Sequence, residues 1–209
     1  MKPTEDEIIT CLRAAQGTTH SNVYAPGETA TQTLKCAAVL IPLLQIDDEW
    51  HILFTRRTDR VESHKGQVSF PGGACDDGET TPEQTALRES EEEIGLAPRD
   101  VRLLGRLHPM ETISSYLVTP VVGIIPWPYV FQPAKDEVAR IFTMPLTWLA
   151  DQSNRWEFNI FGRNRGVLFF HPYDGELLWG ATARMTVDFL EILNPKPAQA
   201  QDARTKRPR

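Results

Sequence analysis

Disulfide-forming residues are scarce in this chain of 209 residues, which has only three cysteines, Cys11, Cys36 and Cys75, with no C-x-x-C pair among them. An odd number without paired spacing argues against a disulfide framework and suits free thiols in a reducing compartment. For Cys75 the expected role is a small packed thiol. Long hydrophobic runs are also missing. The longest, residues 36–44, contains Pro42 and is too short to cross a bilayer, so no transmembrane segment is expected. Nor is there an excess of positive charge: a net charge of −6 and a pI near 5.4 exclude a general nucleic-acid binder. The first residues are acidic and do not read as a signal peptide, which points to the cytoplasm. No internal repeat is visible.

What is present suffices for a sizeable core, since 41% of the residues are hydrophobic. Thr4 and Glu7 stand in capping-box spacing ahead of a helix expected over 5–15, and a Thr-, Ser- and Gly-rich loop follows over 16–32. Strands are expected near 35–44 and 50–56, separated by the turn-like Asp47-Asp48, and alternating apolar residues predict two more near 101–107 and 116–125. Asp174-Gly175 predicts a hairpin turn. A closing helix is expected over 183–193, with Thr182 as a candidate cap, and the Pro-, Ala- and Lys/Arg-containing tail 195–209 reads as disordered. This organisation gives residues 1–33 as an amino-terminal helix and loop and 34–194 as one domain. Periodicity alone supports an α/β or α+β class.

The chemistry concentrates in 72–96. A glycine turn, Gly72-Gly73, precedes a helix expected to start with Pro82 in its first turn and to end at Gly95. On that helix Glu89, Glu92 and Glu93 are spaced i, i+3 and i+4, so they share one face, which is expected to point away from the core. Like charges at that spacing cost roughly 0.2 to 0.5 kcal/mol per pair, and the helix dipole opposes carboxylates in a last turn. Only Arg88 compensates locally. A solvated acidic face is the bland reading. Several local rules broken together, beside glycines that let backbone approach a ligand, favour a hard divalent cation, Mg²⁺ or Mn²⁺.

The segment resembles the Nudix box, G-x5-E-x7-R-E-U-x-E-E-x-G-U with U aliphatic. Gly73, Glu79, Arg88, Glu89, Glu92, Glu93, Gly95 and Leu96 fill its fixed positions. Eight residues rather than seven separate Glu79 from Arg88, and Ser90 stands at the aliphatic position. The extra residue leaves open whether Glu79 reaches Arg88. Upstream, the stretch from Leu53 through Thr55, Arg56, Arg57, Gly66, Phe70, Pro71 and Gly72 to Gly73 resembles the element of the coenzyme A pyrophosphatase branch, with Thr58 and Glu62 as departures. Glu62 replaces an arginine. The W-G-A-T-A stretch at Trp179–Ala183 is similar to a segment of the same branch.

The resemblance spans about 35–193. It implies the Nudix fold, a mixed β-sheet between helices with the box as a loop-helix-loop, and hydrolysis of a pyrophosphate bond in a nucleoside diphosphate derivative. The branch implies coenzyme A or its acyl thioesters. ADP-ribose or a dinucleotide is the alternative that Glu62 favours, and a non-catalytic nucleotide-binding module is a third reading. The implied metal ligands are Glu89, Glu92, Glu93 and the Gly72 carbonyl; Arg88 would orient them. Glu137, in a loop before a strand and short helix, is a further catalytic candidate beside Glu92 and Glu93. Arg56, Arg57, Arg60, His64 and Lys65 are the candidates for substrate phosphates. No membrane or nucleic-acid partner is expected, and a homodimer stays open.

Overall fold

The structure is a computed structural model, which describes residues 2–16, 34–59, 65–158 and 166–194. Arg60, Glu62, His64, most of the loop 16–32 and the tail 195–209 lie outside the described residues. The chain opens with α1 (Glu5–Gln16), capped reciprocally as its sequence predicts: the Glu7 amide donates to Thr4 Oγ1 at 3.3 Å, and the Thr4 amide to the Glu7 carboxylate at 2.7 Å. Then come β1 (Lys35–Ile46), β2 (Glu49–Arg57), β3 (Val68–Ser69), β4 (Gly72–Ala74) and the box helix α2 (Pro82–Ile94). Strands β5 (Arg102–Arg106), β6 (Met110–Glu111), β7 (Tyr116–Ile124) and β8 (Val138–Pro145) follow, with α3 (Leu146–Ala150) directly after β8. The hairpin β9 (Arg155–Phe158) and β10 (Val167–Phe170) precedes the closing helix α4 (Gly180–Leu193).

The large sheet is mixed. Its path runs β3-β2-β1-β7-β5, with β1 parallel to β7 and antiparallel to β2. β8 pairs with β2, and β4 with the first half of β1. Strand β1 is covered on both faces, which is why it reads as an almost unbroken apolar run rather than an alternation. Its Ala37, Ile41 and Leu43 join the core under α1 and α4, where Ile8, Leu12, Phe189 and Leu190 are buried. Its Ala38, Leu40 and Leu44 join a second core with Ala86, Ile94 and Leu96 at α2. The sheet therefore lies between helices, an α+β arrangement that holds α2 against one face.

Two sequence expectations are corrected. Thr182 is not the cap of α4. The helix starts at Gly180 with Trp179 before it, and Thr182 is a buried first-turn residue whose carbonyl accepts from Thr186 Oγ1 at 2.8 Å. Cys36 and Cys75 are joined in a disulfide, and Cys11 alone is free. The reason is the β1–β4 ladder: it puts the two residues opposite each other, 5.4 Å apart at Cα, with the Cys75 amide donating to the Cys36 carbonyl at 3.1 Å. Spacing of 39 residues in sequence hides that pairing. No helix among the described residues is long and apolar enough to cross a membrane.

Candidate active site

The box begins where β4 leaves the sheet. In an antiparallel ladder successive residues alternate between bonding the neighbouring strand and facing away. Pro71 and Cys75 bond β1, so the backbone groups of Gly72 and Ala74 face the other way, toward α2. The Gly72 amide donates to Glu93 Oε2 at 3.2 Å, and the Ala74 carbonyl accepts from Arg88 Nη2 at 2.9 Å. Only glycine fits this approach. A Cβ at Gly72 would sit 2.4 Å from the Ala38 carbonyl oxygen and one at Gly73 would sit 2.5 Å from Glu89 Oε1. Gly72 also holds a φ of 153°, which side chains rarely adopt.

Helix α2 is built to hold the carboxylates at a fixed height above that edge. Thr81 caps it and Gln84 closes the capping box, with Pro82 in the first turn and Gly95 ending it at a φ of 68°. Ser90, at the box's aliphatic position, is fully buried and satisfies its hydroxyl on the Ala86 carbonyl at 2.6 Å. That local bond explains how a hydroxyl is tolerated there.

From the middle of α2, Arg88 reaches back to the box loop and forms a clamp. Its Nε donates to Glu79 Oε1 at 2.8 Å and its Nη1 to Glu89 Oε1 at 2.9 Å and Glu92 Oε2 at 3.0 Å. Glu79 also accepts from the Thr85 hydroxyl at 2.6 Å and the Asp76 amide at 2.8 Å. The inserted residue therefore does not keep Glu79 from Arg88. The Arg88 bond, with the Thr85 and Asp76 donors behind it, holds the Glu79 carboxyl down at about 2. Arg88 in turn is held more firmly protonated, chiefly by Glu79.

The three box glutamates differ sharply in environment. Glu92 is exposed, Glu89 is half-buried, and Glu93 is only 5% exposed. The expectation that all three face away from the core is thus corrected at Glu93, which lies beside Ile94 on the buried edge of the helix. Burial pushes its carboxyl up to about 8, only partly opposed by the Gly72 amide and by Arg57, whose Nη1 is 3.6 Å away. Glu89 is raised as well, first by burial. Glu137, exposed in the loop that leads into β8, adds like charge to both Glu89 and Glu93, so the fold brings it to the same place.

The upstream basic residues divide. Successive strand residues point to opposite faces. Arg57 turns to Glu93, whereas Arg56 turns to Glu176, 3.8 Å from its Nε. Glu176 is buried and also takes Arg140 Nη1 at 3.0 Å, and Arg140 reaches Asp174 of the predicted hairpin. This second cluster had no sequence signal, because the cross-strand register Arg56↔Arg140 is needed to see it. Lys65 is exposed in the turn before β3. Arg60 and His64 lie outside the described residues.

As the side chains stand, Arg88 bridges Glu89 and Glu92, and no group of three His, Cys, Asp or Glu among the described residues closes on one point. The donor set nonetheless fits a hard divalent cation: it is all oxygen, and Glu93 is a buried carboxyl with less positive charge around it than its ionised form needs. Glu89, Glu92, Glu93 and the Gly72 carbonyl, which shares the outward-facing edge with its amide, are the residues that could hold the ion.

Comparison with known proteins agrees with this geometry. The NUDIX domain model matches residues 34–163. A protein of Escherichia fergusonii described as uncharacterized Nudix hydrolase NudL is 36% identical over 162 residues, covering 77% of this chain and 84% of its own. Its counterpart in Pectobacterium atrosepticum is 38% identical over the same shares. A solved MutT/nudix family protein from Enterococcus faecalis superposes with a TM-score of 0.50 at 12% identity, covering 78% of this chain and 62% of its own, a likeness of fold. The chain belongs to the Nudix family and is a pyrophosphohydrolase of that family, acting on pyrophosphate-containing substrates.

Proposed function

We propose that this enzyme, with Mg²⁺ or Mn²⁺, hydrolyses the diphosphate bridge of coenzyme A or its acyl thioesters, releasing 3′,5′-phosphorylated adenosine and the (acyl) phosphopantetheine. The observation that carries the catalytic part is the meeting of Glu89 and Glu93 with the Gly72-Gly73 edge, with Glu137 alongside and Arg57 behind Glu93. The coenzyme A part is supported by the resemblance of the upstream element, whose Arg57 lies 3.6 Å from Glu93.

Glu89, Glu92, Glu93 and the Gly72 carbonyl hold the ion in this reading, and Arg88 sets the spacing of the first two. Bound there, the ion would supply charge neutralisation at the phosphoryl oxygens and a more acidic water. Glu137, Glu92 or Glu93 takes the proton as water attacks phosphorus in line. Arg56 and Lys65, with Arg60 and His64, receive the outlying phosphate. The setting proposed is the cytoplasm.

Glu62, an acid where the branch has an arginine, favours a second reading, ADP-ribose or a dinucleotide as substrate. A non-catalytic module has no comparable support, since all three box glutamates are retained. One assay separates these readings: coenzyme A, dephospho-coenzyme A, ADP-ribose and a dinucleotide compared with Mg²⁺ and with Mn²⁺. Preference for coenzyme A over its dephospho form is the expected result, with full and reversible loss on chelation. Equal turnover of the two removes the 3′-phosphate argument, and activity that survives a chelator removes the metal.

A further inference from the structure

The Cys36–Cys75 bond lies at the one point where the box loop leaves the sheet, and both of its neighbours in that loop touch the clamp. The Ala74 carbonyl takes Arg88 Nη2 at 2.9 Å, and the Asp76 amide donates to Glu79 Oε2 at 2.8 Å. Beyond Cys75, the loop 76–81 has no strand pairing, and all of it except Glu79 is exposed. Strand β4 has only three residues, paired to β1 alone among the described strands. Without the disulfide, the loop's last tie to β1 is one amide-to-carbonyl bond of 3.1 Å at a strand end, where fraying is easiest, and only the polar contacts of Asp76 and Glu79 then hold it to α2. Cys36 is exposed and Cys75 partly so, and a reductant can therefore reach the bond.

We propose that this disulfide is a redox-sensitive latch on the site: closed, it pins the loop that positions Arg88 and Glu79; opened, it lets the loop move and slows hydrolysis. The regulatory part rests on the hydrolytic reading of the site given above. Opening is thiol–disulfide exchange with a dithiol reductant. One thiolate of the reductant attacks a sulfur of the bond, giving a mixed disulfide and one cysteine thiolate. The second thiol of the reductant then displaces the other cysteine. Two electrons and two protons pass to the protein, which ends as Cys36 and Cys75 thiols, and the reductant leaves as its own disulfide. Loss of the covalent tie frees a loop whose Asp76 and Glu79 hold Arg88, and through Arg88 the position of Glu89 and Glu92, and small displacements of such groups lower turnover.

The whole chain, oxidised and after treatment with dithiothreitol, is compared by thiol counting, amide hydrogen exchange over 72–81 and turnover of the substrate panel. Reduction should raise the thiol count from one, Cys11, to three. Exchange at Asp76 and Glu79 should rise about 10-fold or more, and turnover should fall roughly 3- to 10-fold, both returning on reoxidation. Cys36→Ser and Cys75→Ser should show the reduced values with or without dithiol, while Cys11→Ser should respond as the unaltered chain does. Three thiols in the untreated protein, unchanged exchange on reduction, or equal turnover by two active forms would each overturn the latch. Altered exchange with no hydrolysis by either form keeps the tie and removes the hydrolytic reading instead.

Discussion

Two glutamates of the box, one in the loop before α2 and one in its last turn, stand in opposite electrostatic states. At the loop end Glu79 has three donors and is held at about 2; at the far end Glu93 is buried against one amide and a distant guanidinium and is pushed up to about 8. A satisfied carboxylate contributes stability as it stands. An under-compensated one costs stability until something positive arrives. The contrast predicts that the clamp serves architecture and Glu93 serves ligand chemistry, and the two expectations can be tested against each other.

The largest expected effect is at the far end. Glu92→Gln and Glu93→Gln should each lower kcat by roughly 10²- to 10⁴-fold, the scale of losing an acid–base or electrostatic group. Their stabilities should diverge. Unfolded Glu93 ionises near its ordinary 4.5, whereas the folded group keeps its proton to about 8. Between those values the folded state binds the extra proton, so its stability without metal falls as pH rises from about 4.5 to about 8 and is level above. At about 1.4 kcal/mol per tenfold difference in acidity, the loss amounts to a few kcal/mol. Denaturant unfolding in a chelator should show Glu93→Gln more stable than the unaltered chain at pH 8 and about equal at pH 4.5. A gap that does not widen with pH would mean that Glu93 is compensated after all.

Residue spacing made much of the box helix legible and misled on where Glu93 faces. The i, i+3, i+4 pattern and the capping residues of α2 gave the helix, its ends and its shared acidic face, because those are local properties. Burial of Glu93 is not local: it depends on which edge of the helix meets β4, and that is decided by Ala86, Ser90 and Ile94 packing on the sheet. The short strands β3, β4 and β6 carry too few residues for an alternation to show, and β9 and β10 are little longer at four residues each. The disulfide and the Arg56–Glu176–Arg140 cluster arise from pairings far apart in sequence. Hairpin chemistry at Asp174-Gly175 was readable, and what it presents to Arg140 was not.

At the clamp the expected effect is smaller and opposite in sign. Glu79→Gln keeps shape but loses charge at three donors, so it should destabilise by about 1 to 3 kcal/mol at neutral pH. Because the folded carboxyl ionises near 2 and the unfolded one near 4.5, its contribution is present above 4.5 and disappears as pH falls toward 2. The difference between Glu79→Gln and the unaltered chain should therefore shrink in acid, the reverse of the trend at Glu93. Unfolding midpoints at pH 7 and pH 3 check it. A constant difference would make the bond to Arg88 neutral in character and weaken the contrast between the two ends.

The smallest effect separates the adjacent arginines of β2. Arg57 lies 3.6 Å from Glu93, while Arg56 is drawn to Glu176, which already holds Arg140. Removing Arg56 leaves Glu176 paired with Arg140, and a long 3.8 Å contact from a half-exposed arginine is worth about 0 to 1 kcal/mol, so stability should barely change. If Arg56 receives the outlying phosphate, Arg56→Ala raises KM several-fold with kcat intact, because a contact made equally in ground and transition states affects binding alone. Arg57→Ala should instead lower kcat by about 10-fold with KM little altered, since it acts through Glu93. The strand's alternation requires this split. Equal kinetic effects from the two variants would mean that both side chains reach the same ligand, and that the irregularity of the β2–β8 ladder between Arg56 and Arg57 overrides the alternation of β2.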